Sequence, residues 1–329
     1  MSENSQNPCP DCGDQPVINR RRFVETVGGA ALIAGSAPLM SSVWAGPADK
    51  RPAETAAAEL YQTFSDSQKK TLCFPFDHQL RTKLSANWHV TEPEIDDDFF
   101  TKEQRELTRK VVQGATSEDG YKRFLQQMEY DSGGFGRYSI ALFGQPGSGQ
   151  FEFLLTGRHL TLRADGDSTP QRAFGGPVVY GHGVESPKKN LFYYQTVKAN
   201  EVFQALDADQ QKRALLPKAP RESAVEIQGA EGAFPGVAIG ELSSDQRELV
   251  ESVVKVILSP YREADVNEAL QLLKAGGGFE KLHLSFYESG DLDSDKVWDI
   301  WRLEGPSFVW HFRGAPHVHT YVNIGLKQA

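Results

Sequence analysis

Near its C-terminus the chain reads Gly314-Ala-Pro-His317-Val-His319-Thr-Tyr-Val-Asn323, with two of its eight histidines two residues apart. The alternation of apolar residues makes this segment a β-strand. In a strand, side chains at i and i+2 point to the same face, about 7 Å apart at the backbone. Val318, Val322 and Ile324 then share one face, and His317, His319, Tyr321 and Asn323 share the other. The first face packs on a core. The second either meets water or gathers around a metal ion or a polar small molecule.

The same reasoning brings in a third histidine. In Gly157-Arg-His159-Leu-Thr-Leu-Arg163, Leu160 and Leu162 alternate with His159, Thr161 and Arg163, which sets His159 on the polar face of its strand. If both strands share a sheet and a face, three imidazoles converge. His182, in the Gly-rich stretch Phe174 to Gly183, offers a fourth. Three neutral imidazoles with one open position form a catalytic arrangement for zinc, and imidazole also suits copper or iron. The expected transition-metal ligands are therefore His159, His317, His319 and His182. Tyr321 and Arg163 are the groups expected to orient ligands or substrate. Arg81 is a further substrate candidate through an anionic group, against the plainer role of a surface pair with Asp77 at i, i+4. An HxH pair also occurs on ordinary polar sheet faces, so a protein that binds a small molecule, or is purely structural, without metal, is the competing reading. His283 and His311 read as packing residues, and Trp301 and Trp310 as core.

Other chemistries find no support. There is no G-x-S-x-G for a serine hydrolase. Gly144-Gln-Pro-Gly-Ser-Gly149 lacks the Lys of a phosphate-binding loop and joins two strands, so it reads as a hairpin turn. The net charge is −9, and the one basic run is Arg20-Arg21-Arg22, which argues against nucleic acid as a partner. Beyond the N-terminal region no apolar run reaches the roughly 20 residues of a membrane span.

Residues 1–45 read as a targeting segment. Asn19-Arg-Arg-Arg-Phe23-Val24 resembles the twin-arginine consensus, and a weakly apolar stretch from Val27 leads to Val43-Trp-Ala45, a small-residue cleavage site before Gly46. The expected setting is a bacterial periplasm or other exported location, with the twin-arginine translocase as partner during export. Cys9-x-x-Cys12 precedes the leader and has no second pair for a zinc site. Cleavage would leave Cys73 alone, with no intramolecular disulfide, and its place in Leu72-Cys-Phe74 makes it a small hydrophobe.

The elements that position these residues repeat. Ser65, Thr101, Asp207 and Ser243 are each followed three residues later by Gln and preceded by Phe or Leu, the signature of a capped helix start. Residues 65 and 101 are 36 apart, as are 207 and 243, and the two pairs are offset by 142. Gln104-Arg-Glu-Leu107 recurs as Gln246-Arg-Glu-Leu249, and Gly133-Gly-Phe135 as Gly277-Gly-Phe279. We read an internal duplication. After a linker at 46–57, one half covers 58–190, ending in a long connector at 172–189, and the other covers 191–329. Each half reads as helices, a glycine break, then adjacent strands with short turns, which pair antiparallel. The expected class is α+β, with pseudo-twofold helical layers and an antiparallel sheet. The HxH strand has no visible counterpart in the first half.

Taken together, the twin-arginine leader, Phe76-Asp77 with Arg81 and Trp88, Phe143-Gly-x-Pro146, Gly157-x-His159-Leu160, Phe174-x-Gly-Pro177 and His317-x-His319 resemble the bacterial domain-of-unknown-function 3500 family over nearly all of the mature chain. That family has no established activity, so the resemblance implies an exported protein and adds little chemistry. It often carries two histidines before the leucine. Here Arg158 takes the first place, which favours His159 as the ligand.

Overall fold

The computed structural model describes residues 52–147, 149–292 and 295–327. The targeting segment, Cys9 and Cys12, and the first part of the expected linker lie outside the described residues.

Each capping signal starts a helix. Ser65 caps α2 (Asp66–Leu72) and Thr101 caps α3 (Lys102–Ala115), both as full capping boxes. In the second half Asp207 and Ser243 do the same for α6 (Ala208–Ala214) and α7 (Ser244–Leu258). The 36-residue spacing has a physical cause. The capping glutamines meet in pairs: Gln68 Nε2 donates to Gln104 Oε1 at 2.8 Å and Gln104 Nε2 donates back at 3.0 Å. Gln210 and Gln246 exchange the same bonds at 3.3 and 2.7 Å. One amide thus closes a box at its own helix and ties that helix to the next. The remaining helices are α1 (Pro52–Thr63), α4 (Glu118–Ser132), α5 (Tyr193–Ala205) and α8 (Glu263–Ala275).

Residues 52–57, expected as linker, belong instead to α1. Their alanines are the reason: Ala53, Ala56 and Ala57 are buried, and Gly114 of α3 admits the approach. A Cβ on Gly114 would stand 2.6 Å from the Ala53 nitrogen. Small residues let two helix backbones pack closely, and this composition reads equally as a polar tether.

Eleven strands form one sheet among the described residues. They are β1 (Cys73–Phe74), β2 (Ser139–Gly144), β3 (Phe151–Gly157), β4 (Leu160–Ala164), β5 (Val178–His182), β6 (Leu215–Leu216), β7 (Val237–Ala238), β8 (His283–Tyr287), β9 (Ile300–Gly305), β10 (Phe308–Arg313) and β11 (Val318–Ile324). The order is β1-β2-β3-β4-β5-β11-β10-β9-β8-β6, with β7 also on β8. From either edge the pattern inward is the same. A two-residue strand runs parallel to its neighbour, and antiparallel strands follow. The two series meet where β5 pairs antiparallel with β11. The fold is α+β, as the sequence implied. One expectation changes: the connector at 172–189 contains β5, which pairs with β11.

Both faces of the sheet are buried. Leu160, Leu162, Val318, Val322, Trp301 and Trp310 join the helices in the main core. The opposite face is roofed by extended chain. Trp88 and Val90 cover Ala141, Phe143 and Leu154 in the first half, and Val225 and Ile227 cover Val309 and Tyr321 in the second. The roof is fixed by hydrogen bonds to the strands: Val90 N donates to Thr156 Oγ1 at 2.8 Å, and Asn323 Nδ2 to the Val225 carbonyl at 2.9 Å. This second layer explains why polar strand residues are buried rather than solvated.

Candidate metal centre

The site forms where the β3–β4 hairpin meets β11. Gly157 pairs with Leu160, so Arg158 and His159 are the two-residue loop between the strands. His159 takes φ 59°, a left-handed conformation that costs a non-glycine residue of order 1 kcal/mol. Its amide donates to the Ala86 carbonyl at 2.7 Å, which holds the turn. The histidine therefore sits one position before β4, in the loop rather than on the strand's polar face. His317 precedes β11, and His319 lies within it opposite Gly181 of β5.

His159, His317 and His319 converge. Their ligand nitrogens lie within 4.8 Å of one another, the geometry of a group that could hold a metal ion. The ring centroids are 4.8 to 5.0 Å apart. His317 Nε2 and His319 Nε2 are 3.1 Å apart. Two nitrogens bound at about 2.05 Å to one tetrahedral ion would be about 3.3 Å apart, so this spacing suits chelation.

Two carboxylates orient the rings. His159 Nδ1 lies 2.8 Å from Asp131 Oδ2, on the last turn of α4. Asp131 also accepts from Gln127 Nε2 and from the Gly183 amide, each at 2.8 Å. Burial opposes ionisation of Asp131, but these hydrogen bonds, that of His159 foremost, hold it below the usual carboxylate range. An ionised acceptor requires the proton on Nδ1, so the lone pair of His159 is on Nε2. His319 repeats the arrangement, with Nδ1 3.1 Å from Glu222 Oε1. Although burial opposes it, the hydrogen bond and charge of His319 and the charge of Arg313 bring Glu222 down to about 2. Tyr321 donates to the same Glu222 oxygen at 3.3 Å, and Arg313 Nε stands 3.3 Å from Oε2.

His317 and His319 favour their neutral form. Burial, then the neighbouring His319, His159, Arg313 and Arg158, push His317 down to about 4. Burial lowers His319 as well. Neutral imidazole is the metal-ligating form. His159 is 3% exposed while His317 and His319 are half-buried, so the group is walled on one side and open on the other.

The remaining sequence candidates are placed differently. His182 ends β5 with its Nδ1 accepting from the Leu191 amide at 3.2 Å and its ring 5.0 Å from that of Tyr130; it is not one of the converging three. Arg163 is buried in another cluster, donating to the Pro177 and Arg81 carbonyls at 2.7 Å and pairing with Glu152. Arg81 pairs with the same Glu152 at 3.0 Å and lies over the Phe76 ring, in place of the expected pairing with Asp77. Tyr321 stands behind His319 through Glu222. Cys73 is half-buried and burial pushes its thiol up to about 11, in line with an inert residue.

Sequence reasoning missed Asp131 and Glu222. Asp131 did leave a signal: a carboxylate on the last turn of a helix opposes the macrodipole, so its placement there needs a partner. Glu222 lies in an irregular segment and left none.

No curated protein and no solved structure matches this chain. A family model described as a protein of unknown function (DUF3500) matches residues 48–323, most of the chain, and the protein belongs to that family.

Proposed function

We propose that the protein binds one transition-metal ion through His159, His317 and His319, and that it is an exported metalloprotein, with an enzyme as the form this site suits best. The observation that carries the reading is the pair of carboxylate–histidine contacts. Asp131 and Glu222 each fix one Nδ1, which leaves Nε2 free to ligate. A bound zinc, copper or iron ion would supply Lewis acidity or a redox centre. The chain's own part is to favour the neutral form of His317 and His319, hold the three rings in place and leave one side open.

Elemental analysis of protein purified from its native export route tests this. About one metal per chain is expected, falling to background in His317→Ala/His319→Ala. A metal-free wild type that also gives no visible d–d band on titration with Co(II) would sink the proposal.

Export through the twin-arginine route fits the order of the Arg20-Arg21 pair, the apolar stretch and the site before Gly46, and the family match begins at residue 48, just beyond that site. Replacing Arg20 and Arg21 by Lys should retain the protein in the cytoplasm on fractionation. Internal duplication is part of the same reading, supported by the recurrent capping glutamines and by the mirrored strand order.

A further inference from the structure

The three histidines are not held alike. Asp131 stands behind His159 and Glu222 behind His319, but among the described residues no carboxylate is bonded to His317. The charges near His317 are cationic. Arg313 is opposite His319 across the β10–β11 pair, Arg158 precedes His159 in the β3–β4 loop, and both disfavour protonation of His317. Arg313 is already engaged, with its Nε 3.3 Å from Glu222 Oε2. Arg158 is not: it is exposed and has no acidic partner among the described residues. Its backbone is nevertheless fixed. The Arg158 carbonyl accepts from Tyr138 Oη and, at 3.0 Å, from Gln127 Nε2, and the same amide donates to Asp131 Oδ2 at 2.8 Å. One glutamine thus ties the loop that carries Arg158 to the carboxylate that orients His159.

The charges of the centre are sorted by side. The carboxylates stand behind the rings, at Nδ1 of His159 and of His319, away from the Nε2 atoms that ligate. The Asp131 side chain is 1% exposed and its oxygens are taken by His159, Gln127 and the Gly183 amide. The two carboxylates are matched by the two arginines, so a divalent ion adds its whole charge on top, and the exposed Arg158 is the charge left to meet a ligand. A guanidinium presents parallel N–H donors that fit the two oxygens of a carboxylate. We infer that the open position of the metal centre takes a carboxylate-bearing substrate, with one oxygen toward the ion and the other accepting from the Arg158 guanidinium. This inference rests on the three-histidine reading above. It makes Arg158 a specificity residue. The end of α4 brings the negative end of a helix dipole to the same place, which disfavours a dianion such as phosphate.

The full protein loaded with Co(II) tests the inference, because its d–d band reports the metal and any new ligand separately. About one Co(II) per chain should bind first. Acetate and benzoate titrated into the loaded protein should then shift the band saturably, inorganic phosphate at matched ionic strength much more weakly, and acetamide not at all. Arg158→Gln should bind Co(II) as the wild type does while its carboxylate Kd weakens about 10–100-fold. Arg158→Lys keeps the charge without the fork and should fall between the two. A loaded protein whose band ignores both acids, or moves equally with phosphate or acetamide, overturns the inference and leaves the metal reading standing. So does an Arg158→Gln variant with the wild-type Kd. A protein that binds no Co(II) overturns both.

Discussion

The loops Arg158-His159 and Pro306-Ser307 join strand pairs of the same register, Gly157 with Leu160 and Gly305 with Phe308. What stands behind each loop differs. Behind His159, the end of α4 supplies Asp131, whose carboxylate accepts a hydrogen bond from the imidazole Nδ1. Behind Ser307, the chain leaving α8 supplies Gly276, so close that an added Cβ would lie 2.1 Å from the Ser307 Oγ. Ser307 is buried and its Oγ has no partner. One hairpin tip is thus built around a charged contact and the other around a glycine. Two hairpins of the same register thus differ in both the tip residue and the chain that stands behind it.

The largest effect should come from the tip itself. His159→Asn keeps a residue that tolerates positive φ and removes the ligand. Metal stoichiometry should fall from about one to background while the circular dichroism spectrum stays native; retention of stoichiometric metal would show that the two hairpins differ only in packing. Next is the helix end. Asp131→Asn keeps the shape but removes the charge, and metal affinity measured by competition with a chromophoric chelator should drop about 10–100-fold.

Asp165, also in the first half, gives a pH signature. Burial, aided by the nearby Glu152, pushes its carboxyl up to about 6. A carboxyl with a raised folded pKa binds its proton more tightly in the native state. Its stabilising contribution is complete below the unfolded value of about 3.9 and is lost as pH rises through 6. Asp165→Asn should therefore gain on the order of 2 kcal/mol over wild type in urea unfolding at pH 8, and about half of that at pH 5.

The paired glutamines compare the halves directly. Gln104 is 1% exposed, whereas Gln246 is only half-buried. Gln104→Ala should cost about 2 kcal/mol and Gln246→Ala about 1 kcal/mol or less by chemical denaturation. Equal costs would remove burial as the difference between the two pairs. The smallest effect belongs to the silent tip. Ser307→Ala deletes an unpartnered hydroxyl and should shift stability by no more than about 0.5 kcal/mol, with metal content unchanged.

Most of the scaffold was legible because its signals are local. A cap residue and a glutamine three positions later fix a helix start without help from the rest of the chain, and alternation fixes β3, β4, β10 and β11. The convergence of His159 with His317 and His319 followed from face arithmetic, although His159 reaches the group through a left-handed turn that alternation does not describe. β5 was hidden because Pro177, Gly181 and Gly183 give a strand the composition of a loop. Arg163 and Arg81 looked like ligand groups because nothing in sequence shows that Glu152, buried between them, already takes both charges. Glu222 was invisible for a related reason: the roof over the second sheet face is irregular chain whose position only the tertiary fold defines.

The meeting of β5 with β11 has a consequence for how the protein matures. His159 lies just before β4 and His317 and His319 at β11, on opposite sides of the β5–β11 pairing, so neither side of that pairing holds all three histidines. Pulled apart, each half would expose a central strand as an unpaired, sticky edge. The three-histidine group is assembled only when that seam closes, so metal loading would report that the chain has reached its closed form, and a bound ion would act as a staple across the seam, favouring that form by mass action.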